Sequence, residues 1–552
     1  IHYVSECATY LNALESGAIR SVLEKIAHHA RIRGILWLPK ENRGRIQAAV
    51  NESLCIRNVR ASGFNEPVDM VIRNGGITAI APGAAGRNQD LDAFDAEGMW
   101  IIPGLWDCHT HFTQWSYTLG RLDLIEARSA HEAMDMLRGH VSQLRSEGRL
   151  DPNRYVVGMR FRHSLWADDE QPTLAAIDAV AGDQPVALSS ADMHCGWVNS
   201  AAARKLGVQV GESGLVGELE WFDAYCRLDD APGAAEELDR LLCEAEHDAA
   251  GKGVVGIRDY EMAENINTWI GRFANGINGL RVQAGVYPER LHQAIDDGWH
   301  TGDELPGSNG LGHVGAMKLI SDGSLNTRSA YCSTPYSGIE PETFGTMSYT
   351  PEQIESYMFV AAKHGFDIAC HAIGDEANTI VLDCAERAGA RGSIEHAQML
   401  KPVDIPRFAK LGLAASIQPQ HAMDDRDVIT RFWGHPAGIP YAFRALHDAG
   451  TRLLMGSDAP VAPLDPWMAI SAAVFGTENS NREPFQPEQC LDFGTALASS
   501  TQVGRERLKV GDAADLVLLD RDPSTVGTPE EMRAMPRHVQ ATMLAGRWTY
   551  RK

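Results

Sequence analysis

Beyond about residue 53 the apolar positions follow two rhythms. Near both ends of the chain they alternate with polar ones: SLCIRNVRASG, VDMVIRNGGITAIAPG and FDAEGMWIIPG at the front, VGDAADLVLLDRDP and HVQATMLAGRWTYRK at the back. Alternation broken by turn residues such as Gly75-Gly76 predicts strands with one buried face. Residues 53–100 and 505–552 are therefore expected to build one small composite β-sandwich from the two ends of the chain. Between them, near-continuous apolar runs recur at 104–111, 253–260, 280–287, 315–323, 366–375, 392–398, 411–420 and 451–460, most of them separated by helical lengths such as PEQIESYMFVAAKHG. Strands buried on both faces and alternating with helices call for a parallel sheet, and eight such units close a barrel. The predicted class is α/β, a (β/α)8 TIM-like barrel over 101–504.

Two stretches depart from this rhythm. About 140 residues separate the first strand from the second, far too many for a structureless loop, so an inserted subdomain is expected over about 112–250. Residues 1–52 carry apolar positions at helical spacing, including Leu11, Leu14, Ile19, Leu23 and Ile26. They predict a helical extension without recognisable chemistry.

Composition narrows the class further. The 552 residues would allow three or four ordinary domains by length alone, and the strand rhythm replaces that count with one barrel and its attachments. A net charge of −23 repels phosphate backbones, which argues against nucleic acid as a partner. No stretch approaches the roughly 18 uncharged apolar residues of a membrane span. The ten cysteines are scattered without CxxC pairs, the usage of a reducing compartment, so the expected location is cytoplasmic.

The candidate chemistry sits at strand ends. His109 and His111 stand two apart, so their side chains point the same way and can share a metal ion. Lys318 on the fourth predicted strand, His371 on the fifth, His396 on the sixth and Asp458 on the eighth would converge with them at the mouth of a closed barrel. Imidazole and carboxylate are the ligand set of zinc and similar divalent ions. Lys318 fits once burial makes its amine neutral, because a neutral amine can add carbon dioxide and become a carbamate. Two other readings of Lys318 stay open at this point: a salt bridge to Asp322, or a buried cation holding a substrate carboxylate.

PGLWDCHTH, VGAMKLISDGSLNTRSA, ACHAIGDEA, SIEHAQ and GSDAPV, together with DMHCGWVNSAA and VGDAADLVLLDRDP, resemble the amidohydrolase superfamily. Within it they resemble the YtcJ-like, N-substituted formamide deformylase-like branch, amidohydrolase family 3. The resemblance covers about residues 53–552. It implies a metal-dependent hydrolase with His109, His111, Lys318, His371, His396 and Asp458 as the metal centre, one or two divalent ions, zinc being the one expected, and a carboxylated Lys318. It also implies cleavage of a C–N bond in an amide, N-formyl group or cyclic amide by metal-activated hydroxide, with Asp458 as proton shuttle and His396 beside it. His194, Trp197 and Arg328 are the implied substrate-binding residues, and the implied partner is a small amide-type molecule, with a homodimer as the family-level expectation. Asp107 is expected to support the centre, and His313, His421 and His435 to be supporting or surface residues and not ligands.

Two alternatives accompany this reading. A mononuclear aminohydrolase would remove a ring amino group without a carbamylated lysine. A non-catalytic barrel scaffold would be expected to have lost ligands, whereas every ligand position here is filled.

Overall fold

The computed structural model describes residues 53–163, 166–190, 195–228, 234–325, 327–434, 436–502 and 504–552. The expected helical extension over 1–52 lies outside these residues. The chain divides into two compact units, one comprising the residues up to Phe112 together with Glu246–Lys552, the other Thr113–Ala245.

In the first unit all eight predicted central runs form strands: Leu105–Thr110, Val254–Asp259, Arg281–Val286, Gly312–Ile320, Ile368–Ala372, Gly392–His396, Ala414–Ile417 and Leu453–Met455. They pair in parallel in chain order. The ring closes where Asp458 donates its N–H to the His109 carbonyl at 2.8 Å and His111 donates to the Ala459 carbonyl at 2.8 Å. This is the (β/α)8 barrel, with helices such as Pro351–Lys363 and Asp375–Ala388 between the strands. Burial of both strand faces explains their near-continuous Val, Ile, Leu and Ala content.

The two ends of the chain share one eight-stranded sheet. Trp100–Pro103 pairs in parallel with Leu54–Ala61 on one side and antiparallel with Leu516–Leu519 on the other. Alternate residues from both ends, among them Ile56, Met70, Ile72, Leu516, Leu518 and Met543, meet in one apolar core. The sheet is tied to the barrel by Arg281, whose Nε and Nη2 donate to the Asp515 carboxylate at 2.6 and 3.1 Å.

The second unit has a five-stranded sheet of its own, running in the order Leu215–Gly217, Cys195–Val198, Val186–Ser190, Val156–Phe161, Leu122–Asp123. Its core gathers Leu137, Phe161, Trp166, Leu188 and Trp197. Among the described residues no helix is long and apolar enough to cross a membrane.

Candidate metal centre

The C-terminal ends of the barrel strands bring five imidazoles, one carboxylate and one amine together. Asp458 stands at the middle. Its Oδ1 lies 3.5 Å from His109 Nε2 and 3.4 Å from His111 Nε2, while Oδ2 lies 3.4 Å from His421 Nε2. The His396 ring packs 5.0 Å from His109, 4.5 Å from His371 and 6.1 Å from His421, nearly parallel to the last. Lys318 is 2% exposed, with Nζ 3.1 Å from His109 Nε2 and 4.9 Å from the Tyr260 ring centre. Two sets of side chains, His109, His111, Asp458 and His396, His421, Asp458, each offer ligand atoms close enough to hold one ion, and Asp458 belongs to both.

Local structure explains how strand ends can be so crowded. Asp107 on the first strand accepts the backbone N–H of Ser457 at 2.9 Å and of His109 at 3.2 Å, which ties the first strand to the loop after the eighth. Gly456 makes that approach feasible, since a Cβ there would sit 2.6 Å from the His109 nitrogen. His396 and Asp458 hold left-handed backbone, with φ of 70° and 58°. Non-glycine residues in that region carry strain that only surrounding structure can sustain, and such strain concentrates at functional sites.

The electrostatics prepare lone pairs. Burial, with the Lys318 charge nearby, pushes His109 down to about 4 against the opposing pull of Asp458 and Glu395. Burial and the neighbouring His371 and His109 hold His396 well below its usual value. Both rings are therefore neutral near pH 7. Burial opposes ionisation of Asp458, yet His109, His111 and His421 outweigh it and keep the carboxyl well below the usual range. Burial also lowers Lys318, against Glu395 and Asp458. A buried amine that is more readily neutral is what carbamate formation needs. The donor set is nitrogen and carboxylate oxygen, and the buried Nδ1 atoms of His111 and His396 have no hydrogen-bond partner. These residues fit a divalent ion of the zinc type.

Two support residues were not legible as such in the sequence. Glu395, one position before His396, accepts from His109 Nδ1 at 2.6 Å and from Ser393 Oγ at 2.5 Å. Burial raises its carboxyl, but the His109 hydrogen bond outweighs this and brings it to about 2. Asp322 accepts backbone N–H groups of Ile373, Gly374 and Tyr331 at 3.1, 2.9 and 2.9 Å and lies 3.4 Å from His371 Nε2. It is thus a loop organiser, and it forms no salt bridge with Lys318.

Two expectations, for His421 and Trp197, need correction. His421, expected as a supporting or surface residue and not a ligand, is buried in the centre within one of the two candidate ligand sets, because the helix Pro419–Phe432 starts directly above the seventh strand. Trp197, expected to face substrate, is fully buried in the core of the second unit, its Nε1 donating to the Thr173 carbonyl at 3.2 Å. Solvent exclusion and a satisfied indole make it a packing residue. Arg328 sits at an exposed turn with φ of 55°, its guanidinium 5.4 Å over the Phe432 ring. His313 lies near the start of the fourth strand, at the opposite end of the barrel from the centre. His194 and His435 fall outside the described residues.

Comparison with known proteins bears on the same region. The chain is 26% identical over 529 residues to Protein LONG AFTER FAR-RED 3 of Arabidopsis thaliana, covering 87% of this chain and 88% of that one. It is 25% identical over 499 residues to the putative amidohydrolase YtcJ of Bacillus subtilis, covering 84% and 91%. It is 25% identical over 548 residues to the N-substituted formamide deformylase of Arthrobacter pascens, covering 88% and 96%. Among solved structures, an uncharacterized metal-dependent hydrolase from Pyrococcus horikoshii superposes with a TM-score of 0.72 at 23% identity, over 88% of this chain and 100% of that one, which supports the fold. The model of the amidohydrolase family matches residues 92–550, and the chain belongs to that family, the metal-dependent hydrolases built on this barrel.

Proposed function

We propose that this protein hydrolyses a C–N bond in a small amide, N-formyl or cyclic amide substrate. The observation that carries the reading is the Asp458 carboxylate, which presents Oδ1 to His109 and His111 and Oδ2 to His421. His109, His111, His371, His396 and Asp458 would hold one or two ions, zinc in the family reading, joined by Lys318 once carboxylated. When bound, such an ion supplies Lewis acidity, which makes water acidic enough to react near neutral pH and polarises a carbonyl.

The chain's own groups do the rest. Glu395 holds the proton of His109 on Nδ1 and leaves Nε2 facing the centre. Asp458, ionised at neutral pH, accepts the proton that an attacking water gives up and delivers it to the departing nitrogen. An amine leaves poorly as an anion, so this delivery is needed for the C–N bond to break. Arg328, at its exposed turn, is the proposed contact to a substrate oxygen, and His194 is proposed as a substrate-binding histidine. Similarity to a protein named N-substituted formamide deformylase supports the N-formyl class.

The test combines metal analysis with a substrate panel of N-formyl amines, N-acyl amino acids, hydantoins and lactams. Two ions per chain, amide hydrolysis, and loss of both in Lys318→Ala are the expected results. One ion, full activity in Lys318→Ala and ammonia release from a ring amine would replace this reading with the aminohydrolase.

A further inference from the structure

The barrel has a second chamber at the end opposite the metal centre. A cavity of about 400 Å³ opens among residues at the starts of the strands, including Ile368, Gly392, Ser393, Gly412 and Ala414. Barrel interiors are ordinarily filled by layers of bulky branched side chains. Here small side chains leave the space open.

What lines that space is positively charged. Arg258, Arg391 and Arg452 all face the cavity, against the single lining carboxylate of Asp367. Among the described residues none of the three arginines forms a salt bridge, although the chain as a whole carries −23. Arg452 donates to the Gln502 carbonyl at 3.2 Å. Arg258 lies deepest, and its buried Nε has no hydrogen-bond partner. Burying a guanidinium with an unmet donor is unfavourable unless something supplies an acceptor. The guanidinium fork matches an oxyanion, with paired N–H groups aimed at paired oxygens.

We propose that this chamber is a binding site for a phosphate-class oxyanion, either inorganic phosphate or the phosphate of a small metabolite. Arg391 and Arg452, both exposed, form its mouth, and Arg258 forms its end. Tyr260 lines the chamber and also packs 5.0 Å from the His109 ring, so one side chain separates this site from the metal centre. The site stands on its own geometry and does not depend on the reaction assigned to that centre.

Calorimetric titration of the metal-loaded protein with inorganic phosphate at constant ionic strength tests the assignment. One saturable site is expected. Its affinity should fall at least ~10-fold in Arg391→Gln and in Arg452→Gln, since each removes a charge-assisted contact. Binding should survive removal of metal by a chelator. Arg391 has no side-chain partner among the described residues, so its variant keeps the fold intact. A parallel titration with glycerol phosphate separates the sources: tighter binding than inorganic phosphate identifies an organic phosphate, and equal or weaker binding the free anion. Absence of saturable binding, or binding unchanged in both arginine variants and abolished by the chelator, overturns the proposal, the latter by placing phosphate at the metal centre.

Discussion

His109 Nδ1 and Glu395 Oε2 lie 2.6 Å apart with both side chains enclosed, one from the first barrel strand and one from the sixth. An ionised carboxylate at that distance fixes the proton on Nδ1 and leaves Nε2 as the lone-pair nitrogen. Glu395→Gln keeps the shape and removes the charge. Metal affinity should drop by roughly 10–100-fold, read by competition with a chromophoric chelator. Unchanged affinity would show that the tautomer is fixed by something else.

Asp458 is the proposed proton carrier, and Asp458→Asn leaves an oxygen that can still approach a metal but removes the basic site. Turnover should fall by about 10²–10⁴-fold, the range contributed by general acid–base groups, while metal content stays near that of the wild type. Kinetics and elemental analysis on the same preparation separate the two effects. Near-normal turnover rules out the shuttle role.

Gly456 lets the loop after the eighth strand lie against His109. In Gly456→Ala the new Cβ would meet the His109 nitrogen at 2.6 Å and the His109 Cβ at 2.8 Å. Overpacking of this kind costs about 1–3 kcal/mol and shifts backbone. The expected result is a lowered melting temperature together with lost activity, because His109 itself must move. A variant with wild-type activity would mean that the two strands have slack the distances do not show.

Glu246 offers a pH test remote from the centre. Burial raises its carboxyl from the ordinary 4.5 to about 7, against the Gly279 N–H that it accepts at 2.7 Å and two nearby arginines. The native state therefore holds a proton that the unfolded chain releases between these values. Its contribution is fully present below pH 4.5 and is lost as pH rises through about 7, a change worth about 3 kcal/mol. Glu246→Gln lacks this term, so its stability relative to wild type should improve from pH 4.5 to 8. Thermal unfolding of both proteins at each pH reads the difference; parallel pH curves would assign the shift to the unfolded state or to another group.

The amino-acid sequence by itself determined the barrel and most of its centre. Strands buried on both faces leave uninterrupted apolar runs, so all eight were readable, and the candidate ligands at their ends came with them: His109, His111, Lys318, His371, His396 and Asp458. What depended on direction in space was not readable. His421 lies beyond its strand on a helix, and only the start of Pro419–Phe432 above the seventh strand turns it inward. Trp197 sits in a motif that resembles a substrate-facing one, yet the packing of the second unit's sheet encloses it. Glu395 adjoins His396 in sequence, and only closure of the barrel sets its carboxylate against His109 of the first strand. The arginine-lined chamber is the furthest from sequence, since Arg258, Arg391 and Arg452 are separated by more than a hundred residues at the extremes and meet through closure of the barrel. Periodicity along a chain reports which face is buried; which residues meet across the fold is decided by tertiary closure.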